Sequence, residues 1–481
     1  MTSKTRIKST TGNAPNKKGD TEPYHCKGKF LDDFEALCRQ AQITFIVPVV
    51  QRPRPPGTPI NPVDPKEKAK TAKTKEKDVH EVEEPPNDES LPKTYSLKDN
   101  YEYFKPKIQV EMDNPDKQET ITEIHIRAWK IDRATLEIFQ QSFPTLERLN
   151  TLNFWHTGFT DETLAQLASL LPKCPNLKNL ILDSNPLTNE RYDVLLTDDT
   201  ISIVNLSLRH CRITERGAAH ISNGLGNERR QNSKLQTLNL GYNEIGDAGA
   251  EQIAKGLKFN RTLLVLNLSS NDISDNGSEK LAAVLSKFPL SREELLYRRQ
   301  LLLHSAISES VPTLSARKIN DGVRRNSLTS PTTQRKKSAA AVTLPTKKGK
   351  SDDKYIIGDG MPLLDQNAEL MNNDLVLPGN RCLLSLNLSK NRISETGVNH
   401  FLKAIQYQEM FIKLNISRST TSPLQGLLRL ELQRNDFQLD NDYYVKLQIL
   451  LKNRLEPIFK GKETEIELNG RETVGSVKAR G

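Results

Sequence analysis

The stretch that decides the fold of this chain is Leu235-Gln-Thr-Leu238-Asn-Leu240-Gly-Tyr-Asn243-Glu-Ile245. Its leucines alternate with other residues as they do in a strand that buries one face, because successive side chains of a strand point to opposite sides. The asparagine that follows predicts a bend, where its side chain bonds backbone groups that the bend leaves unpaired. One such segment cannot bury its own leucines, so the pattern predicts stacked copies.

The pattern occurs eight times along the chain. The copies begin at Ile121, Leu149, Leu177, Ile203, Leu235, Leu263, Leu383 and Leu427. Up to Leu263 they lie 26 to 32 residues apart, which is enough for a helix to return the chain to the next strand. The first two copies hold Trp129 and Thr157 in place of the asparagine. We expect these copies to form an atypical N-terminal cap, since the end repeats of a stack differ from the others.

This pattern resembles the leucine-rich repeat. Its long period, together with Cys211 in the asparagine position, is similar to the ribonuclease-inhibitor type, in which that position alternates between Asn and Cys. The resemblance implies an α/β solenoid, a horseshoe with parallel strands on the concave face and helices on the convex face. A glycine also follows each apolar anchor by four residues, at Gly217, Gly249, Gly277 and Gly397. A small residue there predicts that each helix begins close to its neighbour.

Composition divides the rest of the chain. The predicted segments are a disordered basic tail (1–28), a short amphipathic helix and strand element (29–50), a disordered Pro-rich and charged linker (51–94), a first block of repeats (95–290), an insertion (291–380), a second block (381–457) and a C-terminal tail (458–481). The insertion is predicted to begin as a helix and then to be disordered, because residues 315–350 contain almost no large apolar side chain. A smaller extra loop is expected between Tyr407 and Pro423.

The element at 29–50 has two interpretations. Its apolar residues at helical spacing are Phe30, Phe34, Leu37 and Cys38, and a β-prone run, Ile43–Val50, follows. Neither piece can bury itself alone. The element is therefore either a cap that packs on the first repeat or an anchor for another protein.

Composition also limits the class of protein. With 36% hydrophobic residues and a net charge of +9, the chain has no stretch near the ~20 apolar residues of a membrane span. We predict a soluble, cytoplasmic protein. Five cysteines without a C-x-x-C pair disfavour a disulfide framework or a zinc site. No phosphate-binding loop or catalytic constellation is present, so no enzymatic activity, cofactor, metal or small-molecule substrate is expected. Nucleic acid and membrane partners are not expected either.

The concave face offers candidate binding residues, because the side chains between the leucines of each strand point to that side. The predicted protein-binding residues are the bulky and charged ones on this face and at the strand ends: His125, Arg127, Trp155, His156, Arg209, His210, Tyr242 and Glu431. Trp, Tyr and Arg are the residue types that anchor interfaces. The Asn and Ser residues between them are explained equally well by hydrogen bonding between strands.

Ser327 follows Arg324-Arg-Asn, and Ser330 precedes a proline, so both are phosphorylation candidates. A phosphate adds ~1.5–2 negative charges and would weaken the attraction of this basic segment to an acidic partner. The chain layout resembles the leucine-rich-repeat proteins of motile cilia and flagella. That resemblance implies a structural role in the axoneme and partners that are axonemal or microtubule-associated. The alternative is a regulatory protein that acts on a small GTPase or on the actin cytoskeleton.

Overall fold

The computed structural model describes residues 24–52, 105–114, 116–310, 362–365, 367–416 and 426–455. The strands are β1 (Val49–Gln51), β2 (Ile108–Met112), β3 (Ile121–Arg127), β4 (Thr151–Trp155), β5 (Asn179–Ile181), β6 (Asn205–Ser207), β7 (Thr237–Asn239), β8 (Val265–Asn267), β9 (Lys287–Pro289), β10 (Glu369–Met371), β11 (Asp374–Pro378), β12 (Ser385–Asn387) and β13 (Arg429–Glu431). The α-helices are α1 (Phe30–Gln40), α2 (Arg133–Ser142), α3 (Asp161–Leu170), α4 (Glu215–Leu225), α5 (Gly246–Phe259), α6 (Asp275–Ser286), α7 (Arg292–Ser310) and α8 (Glu395–Ile416), and residues 442–455 are also helical. The 3-10 helices are Gln118–Thr120, Phe143–Thr145, Leu171–Lys173, Tyr192–Leu195 and Pro362–Leu364.

Ten strands form one sheet in the order β1-β2-β3-β4-β5-β6-β7-β8-β12-β13. From β3 to β13 all neighbours are parallel, and the return helices pack side by side, α4 on α5, α5 on α6 and α6 on α8. Strand β12 pairs directly with β8, so the insertion leaves the solenoid without interrupting the sheet. The predicted α/β solenoid of parallel strands and helices is confirmed.

The asparagines after the strands tie each copy to the one before it. Asn243 donates from Nδ2 to the carbonyl oxygens of Leu208 (2.9 Å) and Leu240 (2.8 Å). Its Oδ1 accepts the amide of Cys211 at 2.8 Å. The asparagine is buried and fills its bonding capacity with backbone groups, as the sequence predicts.

Cys211 takes the asparagine position in its own copy. Its Sγ lies 3.4 Å from the carbonyl oxygen of Leu182 in the preceding copy, which is the type of acceptor that an asparagine Nδ2 uses elsewhere. Burial raises the pKa of Cys211 to about 12. The thiol therefore stays protonated and donates, so it is a structural residue in this position.

The residue just before the asparagine position of each copy, which is Trp129 in the first copy, has a left-handed backbone. The eight residues are Ala128, His156, Ser184, His210, Tyr242, Ser270, Lys390 and Arg434, with φ between 52° and 61°. Residues other than glycine rarely adopt this conformation. The repeated bonds of the stack hold it in place, and the sequence pattern alone did not predict it.

The predicted close approach at the glycines is confirmed. At all four positions an added Cβ would lie 3.2 Å or less from the preceding copy. At Gly277 the neighbour is Asp247, whose Oδ1 accepts the Gly277 amide at 3.0 Å and the Ser274 amide at 2.7 Å. The same contact occurs in two other pairs, Glu190 with Gly217 and Asp275 with Gly397. These carboxylates bind amides that have no partner within the next helix because they lie at its N-terminus, which adds a charge-assisted bond between copies.

Helix α1 packs on the first repeat, which corresponds to the cap interpretation. Phe30 and Phe34 are buried, and their ring centroids lie 6.5 Å and 6.0 Å from that of Phe139 on α2. The β-prone run contributes only the short strand β1, which pairs in parallel with β2. Strand β2 runs antiparallel to β3 and was not predicted, although Ile108, Val110 and Met112 alternate as expected of a strand.

The predicted content of the insertion needs a correction. Its helical start is present as α7, but residues 369–378 form a hairpin, β10–β11, which was predicted to be disordered. Strand β11 pairs antiparallel with β9, and Leu377 and Leu363 are buried. The apolar run in β11 orders this part because it packs on the end of the first block.

A second correction concerns the extra loop predicted between residues 407 and 423. Residues 407–416 continue helix α8, and the next residues lie outside the described ranges. The predicted tail (1–28) and linker (51–94) are wrong at their inner ends, because Tyr24 and Lys27 donate hydrogen bonds to Asp33 and Gln51 lies in β1. Residues 1–23, 53–104, 315–350 and 456–481 lie outside the described ranges, so their predicted disorder stays a prediction. In the described ranges, no helix has both the length and the apolar character needed to cross a membrane.

Candidate binding pocket on the concave face

Strands β3 to β6 and the residues flanking the linker enclose a cavity of about 950 Å³ on the concave face. Its lining residues are Arg52, Lys105, Lys107, Gln109, His125, Arg127, Ala128, Asn153, Trp155, His156, Ile181, Asp183 and Arg209. Five of the eight predicted binding residues therefore meet in one place: His125, Arg127, Trp155, His156 and Arg209.

Cationic side chains dominate the lining of the pocket. The five cations are Arg52, Lys105, Lys107, Arg127 and Arg209, and the one carboxylate in the lining is Asp183. Asp183 is held by the next copy of the repeat, because its Oδ1 accepts from Ser207 Oγ at 2.6 Å and from the amide of Arg209 at 3.0 Å. A concave surface with this balance attracts anionic groups over a distance.

The floor of the pocket is polar and buried. His125 is 4% exposed and Asn153 is 7% exposed, and the two lie opposite each other on β3 and β4. His125, one of the predicted binding residues, is therefore buried, and its ring contacts Arg52, the residue that follows β1. Its Nε2 is 2.9 Å from Glu123 Oε2 and 3.1 Å from Arg52 Nη1. The hydrogen bond from His125 lowers the pKa of Glu123, and burial opposes this effect.

Glu111, Glu123 and His125 are the one group of metal-ligand type in the described part of the chain, with ligand atoms within 4.8 Å of one another. Arg52 Nη1 lies 3.6 Å from Glu111 and 3.7 Å from Glu123. This guanidinium supplies the positive charge that a metal ion would bring. The cluster is therefore better described as an ion-pair network that fixes β1 against β2 and β3.

His210 and Tyr242 lie beside the pocket. Their rings stack with centroids 4.6 Å apart, and the Arg209 guanidinium lies 5.1 Å from the centre of the Tyr242 ring. Lys390 Nζ is 2.8 Å from the Tyr242 hydroxyl, and this hydrogen bond lowers the pKa of Tyr242. Arg209 thus connects the pocket to an aromatic and cationic ridge on the next copies.

Glu431 lies apart from the other predicted residues. On β13 it lines a separate cavity of about 640 Å³ together with Gln448 and Ile449. Its carboxylate accepts from Asn387 Nδ2 at 2.6 Å. The phosphorylation candidates Ser327 and Ser330 lie outside the described residues, so their role stays a prediction.

Sequence reasoning missed the residues that come from outside the repeats. Arg52, Lys105 and Lys107 flank the linker, and only the pairing of β1 with β2 brings them to the concave face. The alternating strand pattern of β2 was the available signal for two of them. Asn153 and Asp183 belong to the concave ladder, but their residue types gave no reason to select them.

A family model for the Leucine Rich repeat matches residues 231–254, 259–282 and 379–399. Ribonuclease inhibitor of Sus scrofa is 27% identical over 143 residues, which cover 29% of this chain and 30% of that protein. Ribonuclease inhibitor of Mus musculus is 28% identical over 118 residues, which cover 24% of this chain and 25% of that protein. The chain therefore spans less than a third of the length of either relative.

Among solved structures, an internalin of Listeria monocytogenes is similar at 13% sequence identity, with 68% of this chain and 85% of that chain covered and a TM-score of 0.18. The family match covers three of the copies identified by sequence, those at Leu235, Leu263 and Leu383. The chain thus carries leucine-rich repeats and has a weak similarity to ribonuclease inhibitor.

Proposed function

We propose that this protein is a non-enzymatic scaffold that binds a partner protein through the pocket on strands β3 to β6. Leucine-rich-repeat proteins commonly serve as interaction scaffolds, which supports the general class. The observation that carries the choice of surface is the position of Trp155. It is 43% exposed on a strand whose other side chains are all buried, and it stands among the cations of the pocket.

An exposed tryptophan beside arginines is the usual composition of an interface centre. Aromatic and Arg side chains bury a large area and bond in defined directions, so a few of them carry most of the affinity of an interface. Arg209 extends this surface because it contacts the ring of Tyr242. The neighbouring copies offer small polar side chains, which would contact a partner without anchoring it.

We further propose that the partner is a structural component of the ciliary or flagellar axoneme. The chain layout supports this, as does the net charge of +9, because microtubule surfaces are acidic and attract basic chains at long range. The proposal of an axonemal partner rests on the resemblance of the chain layout to ciliary leucine-rich-repeat proteins and on the net positive charge.

The test is affinity capture from ciliated and non-ciliated cells with the full-length chain. We expect axonemal proteins to be enriched from ciliated cells and lost with Trp155→Ala combined with Arg209→Ala. The matched control is Tyr443→Ala with Arg133→Ala, which removes an exposed aromatic and an exposed cation from other surfaces. Capture that is unaffected by the pocket variant would contradict the proposed surface. Equal capture from both cell types would contradict the axonemal setting.

A further inference from the structure

The floor of the pocket contains polar atoms that have no partner in the described part of the chain. They are Asn153 Oδ1 and His125 Nδ1, both on side chains that are more than nine-tenths buried. Buried polar groups in folded proteins nearly always have a hydrogen-bond partner. Both residues line the cavity, but the two unpaired atoms have almost no accessible surface, so a ligand on the floor pairs with them only when their side chains turn towards it.

The equivalent asparagines in other copies are satisfied. Asn239, Asn267 and Asn387 each accept, through Oδ1, the backbone amide two residues further on, at 3.1, 2.9 and 2.9 Å. At Asn153 this partner would be the amide of Trp155. Strands β3 and β4 pair as far as Trp155, so the amide of Trp155 belongs to the strand. The pairing of β7 stops at Asn239, so the amide of Gly241 bonds the Asn239 side chain instead. The longer strands at the N-terminal end therefore leave Asn153 Oδ1 unpaired.

The walls of the pocket select negative charge. Arg127 and Arg209 lie on β3 and just after β6, about 14 Å apart across three strand spacings of ~4.8 Å. An extended peptide of about four residues spans this distance at ~3.3 Å per residue. Its backbone would present amide N–H and C=O groups to the floor while its side chains reach the arginines.

We propose that the pocket binds an extended acidic peptide segment of a partner protein, with its backbone amides paired to Asn153 and His125 and its carboxylates paired to Arg127 and Arg209. This inference rests on the proposed function, because it names the class of partner for the same surface. A nucleic acid fits less well. Single-stranded nucleic acids bind by stacking successive bases on aromatic side chains, and Trp155 is the one Phe, Tyr or Trp side chain among the lining residues.

Fluorescence anisotropy with the full-length protein tests the chemistry. The probe is a labelled eight-residue peptide in which Glu alternates with Gly, and the comparison peptides replace Glu by Gln or Gly by N-methylglycine. We expect the Glu peptide to bind, with an affinity that falls as salt rises, and both comparison peptides to bind at least tenfold more weakly. If the Gln peptide binds as tightly as the Glu peptide, the proposed pairing of carboxylates with the arginines is overturned. If the N-methyl peptide binds as tightly, the proposed pairing of backbone amides with the floor is overturned. Tighter binding of an eight-nucleotide thymidine strand would overturn the choice of a protein ligand.

Two matched pairs of variants locate the site. Arg127→Glu with Arg209→Glu should reduce probe affinity at least tenfold, while Arg133→Glu with Lys255→Glu, which makes the same charge change on exposed helix surfaces, should not. Asn153→Ala should reduce affinity about tenfold with an unchanged melting temperature. Asn239→Ala removes an internal bond, so it should lower the melting temperature and keep the affinity. Unchanged affinity in Asn153→Ala would overturn the role of the floor.

The chain itself offers a competing occupant. Residues 78–89 contain six acidic residues, and the linker that carries them joins Arg52 to Lys105 at the edge of the pocket. A full-length variant with these six residues changed to Asn or Gln shows whether the pocket binds a segment of another protein or this segment of its own chain. Unchanged probe affinity supports a partner in trans, and a tighter affinity would overturn that choice in favour of this segment. If the peptide fails to bind but partner capture still depends on Trp155 and Arg209, the inference falls and the proposed function stands.

Discussion

In the copies that contain β7 and β8, the concave asparagines bond the amide two residues further on, whereas Asn153 on β4 leaves its carbonyl oxygen unpaired. The same residue type at the same place in the repeat therefore has two states. The central copies have short strands, and their concave asparagines Asn239 and Asn267 bond backbone amides of their own copies. The strands β3 and β4 are longer, and Asn153 Oδ1 and His125 Nδ1 on them have no partner in the described part of the chain. The comparison teaches that a change in strand length alters which polar atoms a repeat satisfies, and the proposed ligand would bind where the pattern changes.

Phe154 and Trp155 are neighbours on β4, but the first is fully buried and the second is partly exposed. Phe154→Ala should destabilise the protein by about 3–5 kcal/mol, because its fully buried ring packs on Phe139 and Phe159. Trp155→Ala should change the free energy of unfolding by less than about 1 kcal/mol, since its side chain is partly exposed. Urea denaturation followed by circular dichroism measures both. Similar losses would mean that Trp155 is a core residue.

Gly277→Val tests the contacts of the central copies. A valine side chain would meet Asp247 and displace α6, at a cost of about 3 kcal/mol, the upper end of the range for overpacking. We expect the repeats after Leu383 to lose protease protection before those ahead of Leu235. Gly246→Asn is the control, because Gly246 has open space and its φ of +60° is tolerated by asparagine. Simultaneous loss along the whole chain would instead indicate one cooperative unit.

Asn243→Ala should cost about 2 kcal/mol, since it leaves buried backbone groups of two copies without partners. Asn153→Ala should cost almost nothing, although it changes the same residue type, because the Oδ1 that it removes has no partner. Thermal unfolding of the two variants compares them directly. A larger loss in Asn153→Ala would show that its amide supports the fold and would remove the difference between the two regions.

The smallest expected effect is on the acid stability of the N-terminal end. The folded protein lowers the pKa of Glu123, so the unfolded chain binds the proton more readily. The stability from this group is therefore present above its ordinary pKa of ~4.3 and is lost as pH falls through the lowered folded value. Glu123→Gln should reduce the stability that is lost as pH falls from about pH 5 to pH 3, by less than about 1 kcal/mol because the group is partly exposed, and melting temperatures measured across this range of pH check it. Superimposed profiles would contradict this.

Much of the fold could be predicted because each copy specifies its own structure. Asn243 bonds the carbonyl of Leu240 in its own copy and that of Leu208 in the copy directly before it, and Gly277 contacts the helix directly before its own. Such contacts join neighbours in a repeating chain, so a spacing of residues is enough to indicate them. Trp155 and Arg209 could be selected in the same way, because alternation along a strand decides which face they share.

The sequence by itself thus determined the solenoid, its register and the concave residues. Only the tertiary structure decided the rest, since it depends on contacts between segments that no spacing relates. Arg52 reaches Glu123 and His125 because β1 pairs with β2 across the linker. Strand β11 is ordered because it pairs with β9 across the insertion. The unpaired state of Asn153 depends on how far β3 and β4 pair, which is set by the packing of the whole N-terminal cap and not by the repeat pattern.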